Sequence, residues 1–425
     1  MRSRCARSSE SVVEASGSLK RRSGISVGED GYASIGDGGA TAALRPSRHG
    51  SHYVRAARKS CKLGQDVVSQ ARGTTLAYSP RSTLAPNPVD ESRTRGRMST
   101  KQTLPVLPLR GTVIFPGITA PIAAGRPGTL RAIEAALKSD LTVHNWMSDA
   151  TRKQAIVKLD AFLNKIGYPD KWRDYSALNV DRSSYQTNRL RVGKFNEDRD
   201  WAKVGKPVDR MEWGMTPPTV NAYYNPQNNE IVFPAGILQP PFFDPNADDA
   251  LNYGSMGSVI GHEMTHGFDD QGSKYDPSGN LANWWSEADL KAFKERAGCI
   301  VNQFNNFEVE KGLNENGSLV QGESIADLGG LVVAYAAFQK AMEGKPRTNI
   351  DGFTPEQRFF LGYARGWATN MRPELARVLV LQDPHPLSKF RVNGPLSNMP
   401  QFAAAFQCKD GDAMVRPEKD RCVIW

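Results

Sequence analysis

Residues 250–268 read ALNYGSMGSVIGHEMTHGF, and inside them His262-Glu263-Met264-Thr265-His266 has the pattern HExxH. The stretch reads as a helix with apolar residues along one side. A spacing of four then sets both imidazoles on one helical face, a turn apart, where they can converge on a single ion while Glu263 faces the same opening. The bland alternative is two ordinary histidines. With only six His in 425 residues, chance produces such a pattern in about one sequence in a few hundred, so the metal reading is the one to pursue.

A catalytic zinc takes three protein ligands and keeps a fourth position for water, so a third ligand is required. Glu323, in Gly322-Glu323-Ser324-Ile325-Ala326-Asp327, lies 57 residues beyond His266 and opens a second helix, read over 324–342. Alone, Glu and Asp four apart mean a helix-capping carboxylate and a solvated neighbour. Beside HExxH they supply an oxygen ligand, Glu323, and a carboxylate, Asp327, that accepts the second ring proton of His262. Charge agrees: residues 211–273 contain no Lys or Arg and eight Asp and Glu, a segment that favours a cation or is simply an acidic surface.

Outward from this centre, residues 219–224 and 230–233 are β-rich runs separated by Asn/Pro turn chemistry, which predicts a hairpin. Upstream, Ser148 and Asp149 cap a predicted helix whose apolar face is Ala155, Ile156, Leu159, Phe162 and Leu163, ended by Gly167 and Pro169. All eight Trp fall at or after 146, which places the packed core in the carboxyl-terminal part. Residues 98–137 alternate apolar runs with Pro and Gly and close on a short amphipathic helix.

The first hundred residues hold 17 Lys and Arg against 8 Asp and Glu, so the net charge of +9 belongs wholly to them. Residues 1–97 have no Phe or Trp and are rich in Ser, Arg and Gly. They are expected to be disordered, and their charge to be a solvated one rather than a nucleic-acid site. No stretch reaches the roughly 18 apolar residues of a membrane span, and the start lacks the apolar core of a secretory signal. Compartment is left open.

Asn221-Ala222-Tyr223-Tyr224, IVFPAGILQPPFF, HEMTHGFDDQG, GESIADLGG, KFRVNGPLSNMPQF and the terminal CVIW together resemble the neprilysin family of zinc metalloendopeptidases over about residues 145–425. Residues 98–137 resemble the opening of the amino-terminal domain of Lon protease. The first resemblance implies an α+β, thermolysin-like catalytic domain, mostly helical with a small sheet, that lacks most of the family's helical cap domain. It divides the chain into a basic arm (1–97), a Lon-like fragment (98–137), a junction with a remnant of the helical domain (138–183) and the catalytic domain (184–425).

It also implies one Zn²⁺ per chain on His262, His266 and Glu323, with Glu263 as general base and Asp327 behind the metal. His385 is then the donor to the oxyanion. Asn221, the backbone of Ala222 and Arg391 hold the substrate main chain, and Ile237, Phe242, Val259 and Trp367 form an apolar primed-side pocket. Ser258, where some relatives carry a bulky apolar residue, implies a wider pocket, and Cys299 and Cys422 match positions that pair in exported relatives. The substrates implied are oligopeptides cut N-terminal to bulky hydrophobic residues, with no nucleic-acid partner and no transmembrane segment. Three alternatives stand beside this: a truncated or fused, catalytically impaired zinc-binding fragment, an adaptor recruiting unfolded protein through the Lon-like piece, and an aminopeptidase. The last lacks its GxMEN signature here.

Overall fold

The computed structural model describes residues 107–109, 112–114, 127–143 and 146–424. The expectations for residues 1–97, and most of those for 98–126, fall outside these residues. A short antiparallel pair, β1 (Leu107–Leu109) and β2 (Thr112–Ile114), comes first. It is followed by α1 (Pro127–Val143), α2 (Asp149–Asp160), β3 (Leu163–Gly167), α3 (Tyr185–Trp201), β4 (Tyr223–Asn225), β5 (Glu230–Pro234), α4 (Asp249–Asn252) and α5 (Ser258–His266). Next are α6 (Glu287–Asn305), the hairpin of β6 (Glu308–Glu310) and β7 (Leu313–Asn314), α7 (Gln321–Ala341), α8 (Pro355–Gly366), α9 (Pro373–Gln382), α10 (Ser388–Asn398) and α11 (Pro400–Phe406). The class is α+β, mostly helical with a small sheet, as the resemblance implies.

α1 repeats Leu130, Ile133, Leu137 and Leu141 at helical spacing, and all four are buried against α2, α5 and α7. The expected division after residue 137 therefore falls inside a helix, in the middle of its buried stripe. α2 is capped by Ser148, whose hydroxyl accepts from Thr151 N, but it stops at Asp160 rather than at Gly167. Residues Leu163–Gly167 instead pair in parallel with β5, so Phe162 and Leu163 leave the predicted helical face. The face that α2 does bury holds Thr151, Ala155, Lys158 and Leu159. Tertiary pairing outweighs a helical pattern that continued past Asp160 only in its apolar spacing.

The three-stranded sheet runs β3-β5-β4 with β5 in the centre and all five of its residues buried. Lys165 and Glu230 form a buried ion pair at 2.6 Å between neighbouring strands, and Lys165 also donates to Glu212 O at 2.9 Å. The first strand of the predicted hairpin is shorter than 219–224. A turn in which Thr219 N donates to Thr216 O delays it to Tyr223, leaving Asn221 and Ala222 at the entry to the edge strand.

The predicted helix over 250–268 is present with a π-helical turn at Tyr253–Gly257 between α4 and α5. α7 starts at Gln321, which puts Glu323 in its first turn. α5 and α7 cross with their backbones in contact: a Cβ on Gly261 would stand 2.5 Å from Gly330 O, and one on Gly330 would stand 2.4 Å from His262 N. Only glycine at both positions lets the helices approach this closely. This crossing brings the two motifs, far apart in sequence, face to face. A disulfide joins Cys299 of α6 to Cys422 across 123 residues, as the resemblance implies. Among the described residues no helix is long and apolar enough to cross a membrane.

Candidate metal centre

His262 lies in the middle of α5 and His266 at its last position, and their Nε2 atoms approach to 2.9 Å. Glu323 completes the group, with Oε2 3.2 Å from His262 Nε2 and Oε1 3.6 Å from His266 Nε2. These three are the metal-capable cluster found among the described residues, one ligand atom from each lying within 4.8 Å of the others. A tetrahedral zinc with ligands at about 2.0–2.1 Å separates them by roughly 3.3 Å, which the observed edges bracket. Two imidazole nitrogens 2.9 Å apart can share one proton or turn both lone pairs on one cation, so the donor set suits a metal.

The surroundings are strongly polarised. Burial opposes a charge on His262, but the Asp327 and Glu323 carboxylates outweigh it and push the imidazole up to about 10. Burial would raise Glu323, yet His262, His266 and Arg391 hold it well below the usual carboxylate range. The carboxylates around the two histidines thus make an environment that favours positive charge. Burial raises Glu263, with the two histidines pulling the other way.

Each histidine has a carboxylate behind it. His262 Nδ1 lies 2.9 Å from Asp327 Oδ1, in an oblique approach that leaves the ring nitrogen without a linear hydrogen bond. His266 Nδ1 is 2.6 Å from Asp269 Oδ2, and Asp269 Oδ1 accepts from the backbone of Gln271 and Gly272 at 2.8 and 2.7 Å. Asp269 entered the sequence reading only as one acid among eight, although its position three residues after a candidate ligand was a usable signal. Asp383, two residues before His385, was passed over in the same way. Its Oδ1 is 2.7 Å from His385 Nδ1.

Arg391 donates to Asp327 from Nε at 2.8 Å and Nη2 at 2.7 Å, with Nη2 also 3.4 Å from Glu323 Oε2. Its guanidinium lies 3.9 Å over the ring of Trp367, and Tyr363 donates to its carbonyl at 2.7 Å. Arg391 is thus a buried charge. His385 stands opposite, half exposed, with Nε2 3.2 Å from Glu323 Oε1.

A cavity of about 480 Å³ collects nearly every candidate residue. His262, Glu263, His266, Glu323, His385 and Arg391 form its polar part, Ile237, Phe242, Val259 and Trp367 its apolar part, and Asn221 and Ala222 one rim. Asp327 is outside it, buried behind His262. Ser258 is buried and does not line the cavity, whereas its neighbour Val259 does. A larger hollow of about 1310 Å³ between residues 169–179, α3 and 209–218 shares Met215 with this cavity but none of its ionisable cluster.

Residues 221–422 match Peptidase family M13, and residues 103–167 match the substrate-binding domain of ATP-dependent protease La (LON). The second match extends 30 residues beyond the expected limit at 137, through α2 and β3. The chain is 43% identical over 306 residues to an endothelin-converting enzyme homolog of Locusta migratoria, covering 70% of this chain and 42% of that protein. It is 41% identical over 307 residues to Neprilysin-3 of Drosophila melanogaster, covering 69% and 38%. The zinc metalloprotease ZMP1 of Mycobacterium tuberculosis, solved with an inhibitor, superposes with a TM-score of 0.68 at 45% identity over 70% of this chain and 46% of that one. PEPO from Lactobacillus rhamnosis gives 0.66 at 36%, over 73% and 48%. The chain spans less than half the length of these relatives.

Proposed function

We propose, on the premise that residues 221–422 are of peptidase family M13, that the chain is a zinc-dependent metalloendopeptidase acting on oligopeptides. The observation that carries this is the convergence of His262, His266 and Glu323 beside the buried carboxyl of Glu263, in one cavity with His385 and Arg391. His262, His266 and Glu323 would hold the metal. Zinc bound there supplies a Lewis acid that polarises the scissile carbonyl and acidifies a water.

The remaining steps belong to this chain's own side chains. Glu263 takes the proton from the attacking water and returns it to the leaving amine. Its raised affinity for protons, caused by burial, suits a group that must do both near neutral pH. His385 donates from Nε2 to the developing oxyanion, with Asp383 holding its other nitrogen. Asp327 and Arg391 keep His262 and Glu323 in place. Asn221 and the backbone of Ala222, at the entry to edge strand β4, pair with the substrate main chain as an added strand.

Ile237, Phe242, Val259 and Trp367 give the cavity an apolar end that favours a bulky hydrophobic residue just after the scissile bond. Digestion of a mixed peptide pool, with the new amino termini identified by mass spectrometry, tests this. Most cuts should precede Phe, Leu, Ile or Met, and a uniform distribution would remove the assigned pocket. One observation favours a second reading, that of a zinc-binding but catalytically impaired chain: Trp172, Tyr175, Tyr185, Leu190, Trp201 and Met211 are all exposed within one stretch of sequence, and large exposed apolar side chains that gather into a patch are an aggregation liability. Stoichiometric zinc without turnover would select that reading.

A further inference from the structure

Lys158 is fully buried on α2, an unusual place for an amine. Its Nζ donates to Gly272 O at 2.6 Å and to Tyr275 O at 2.7 Å. The rings of Tyr224, Phe268 and Trp284 surround it at 5.8 to 5.9 Å. Packing alone does not explain the amine, since a residue such as Met fills the same volume without the cost of burying a polar group.

What the amine touches is informative. Gly272, whose carbonyl it binds, donates its own N–H to Asp269 Oδ1 at 2.7 Å, and Asp269 Oδ2 lies 2.6 Å from His266 Nδ1. The links from Lys158 through the Gly272 residue and Asp269 to His266 are therefore continuous. Gly272 packs directly on the end of α5: a Cβ there would stand 1.8 Å from His266 O, so no side chain is tolerated. The backbone of Lys158 is anchored as well: Asn229 Nδ2 donates to its carbonyl at 3.0 Å, and Tyr224 donates to Asn229 Oδ1 at 3.0 Å. His266 closes α5 where the helix gives way to a turn, whereas His262 sits mid-helix against α7. A ligand in the last position of a helix depends on the turn that follows for its orientation, and that turn is what the lysine holds.

We propose that Lys158 is a positioning residue for the metal centre: by fixing the turn over 269–275 it holds Asp269 against His266 Nδ1 and presents His266 Nε2 to the ion. This rests on the reading of His266 as a metal ligand. The test measures zinc affinity of the full chain by competition with a chelating indicator, well below the melting temperature, for wild type, Lys158→Met, Lys158→Gln, Asp269→Asn and Lys158→Met/Asp269→Asn.

Lys158→Met should bind zinc about 10–100-fold more weakly, the range for partners that orient a metal ligand, and Lys158→Gln, which keeps N–H donors on a shorter, uncharged side chain, should fall between it and wild type. If the lysine acts through Asp269, the double variant should be no more than about 2-fold weaker than the worse single one. Unchanged zinc affinity in folded Lys158→Met, or losses that multiply in the double variant, overturns the proposal, as does failure of both Lys158 variants to fold, which would make the residue a stability element. A wild type that binds no zinc sinks the metal reading itself, a result distinct from wild-type zinc binding with an indifferent Lys158.

Discussion

Arg391→Met tests whether the carboxylate behind the metal centre depends on its guanidinium partner. The substitution removes two hydrogen bonds to Asp327, at 2.8 and 2.7 Å, and the stacking over Trp367. Asp327 has a side chain only 1% exposed and would keep only the oblique contact with His262. Breaking a buried ion pair by removing one partner costs about 3–5 kcal/mol. At about 2–4 °C per kcal/mol for a domain of this size, the unfolding midpoint of the zinc-free protein should fall by roughly 6–20 °C.

The pH dependence follows from the same contact. Burial raises Asp327, but Arg391 and then His262 hold it below its ordinary value. A depressed carboxylate adds stability that is present above its unfolded value of about 3.9 and is lost as pH falls through the folded one. The gap between wild type and Arg391→Met should therefore be full at pH 7 and narrow below about pH 4. Calorimetric or circular-dichroism melts at both pH values measure it. A loss under about 0.5 kcal/mol at pH 7, the range of exposed substitutions, would refute the reasoning.

Two further outcomes are expected. His262→Ala and Glu323→Ala should each abolish the one zinc per chain, since either removes one of three ligands, and metal analysis of the purified variants reads this directly. Replacing both Cys299 and Cys422 by Ser opens a loop of 123 residues and should cost about 2–5 kcal/mol in urea unfolding.

The site was legible where its geometry is local. HExxH places two imidazoles by helical periodicity alone, and Glu323 and Asp327 share a face for the same reason. What joins the two motifs was not legible, because nothing in the spacing of Gly261 and Gly330 announces that these residues meet. Lys158 was hidden by its type, since a lysine in a helical pattern reads as solvent-facing until the aromatic rings around it are placed. The residues 163–167 were misread as helix because their partner strand lies 67 residues on, at Glu230. The reach of α1 into the core escaped notice because composition suggested a break beside it. Its own stripe of Leu130, Ile133, Leu137 and Leu141 was the missed signal.

The central claim is a zinc peptidase in which Glu263 moves the proton, and comparing Glu263→Gln with wild type tests it most directly. Glu263 is buried beside the ligand set without belonging to it, so the variant should retain about one zinc per chain. It should lose roughly two to four orders of magnitude in peptide hydrolysis, the contribution of a positioned general base. Zinc retained with hydrolysis nearly abolished is the predicted result. Cleavage by the zinc-loaded variant at close to the wild-type rate would contradict the account.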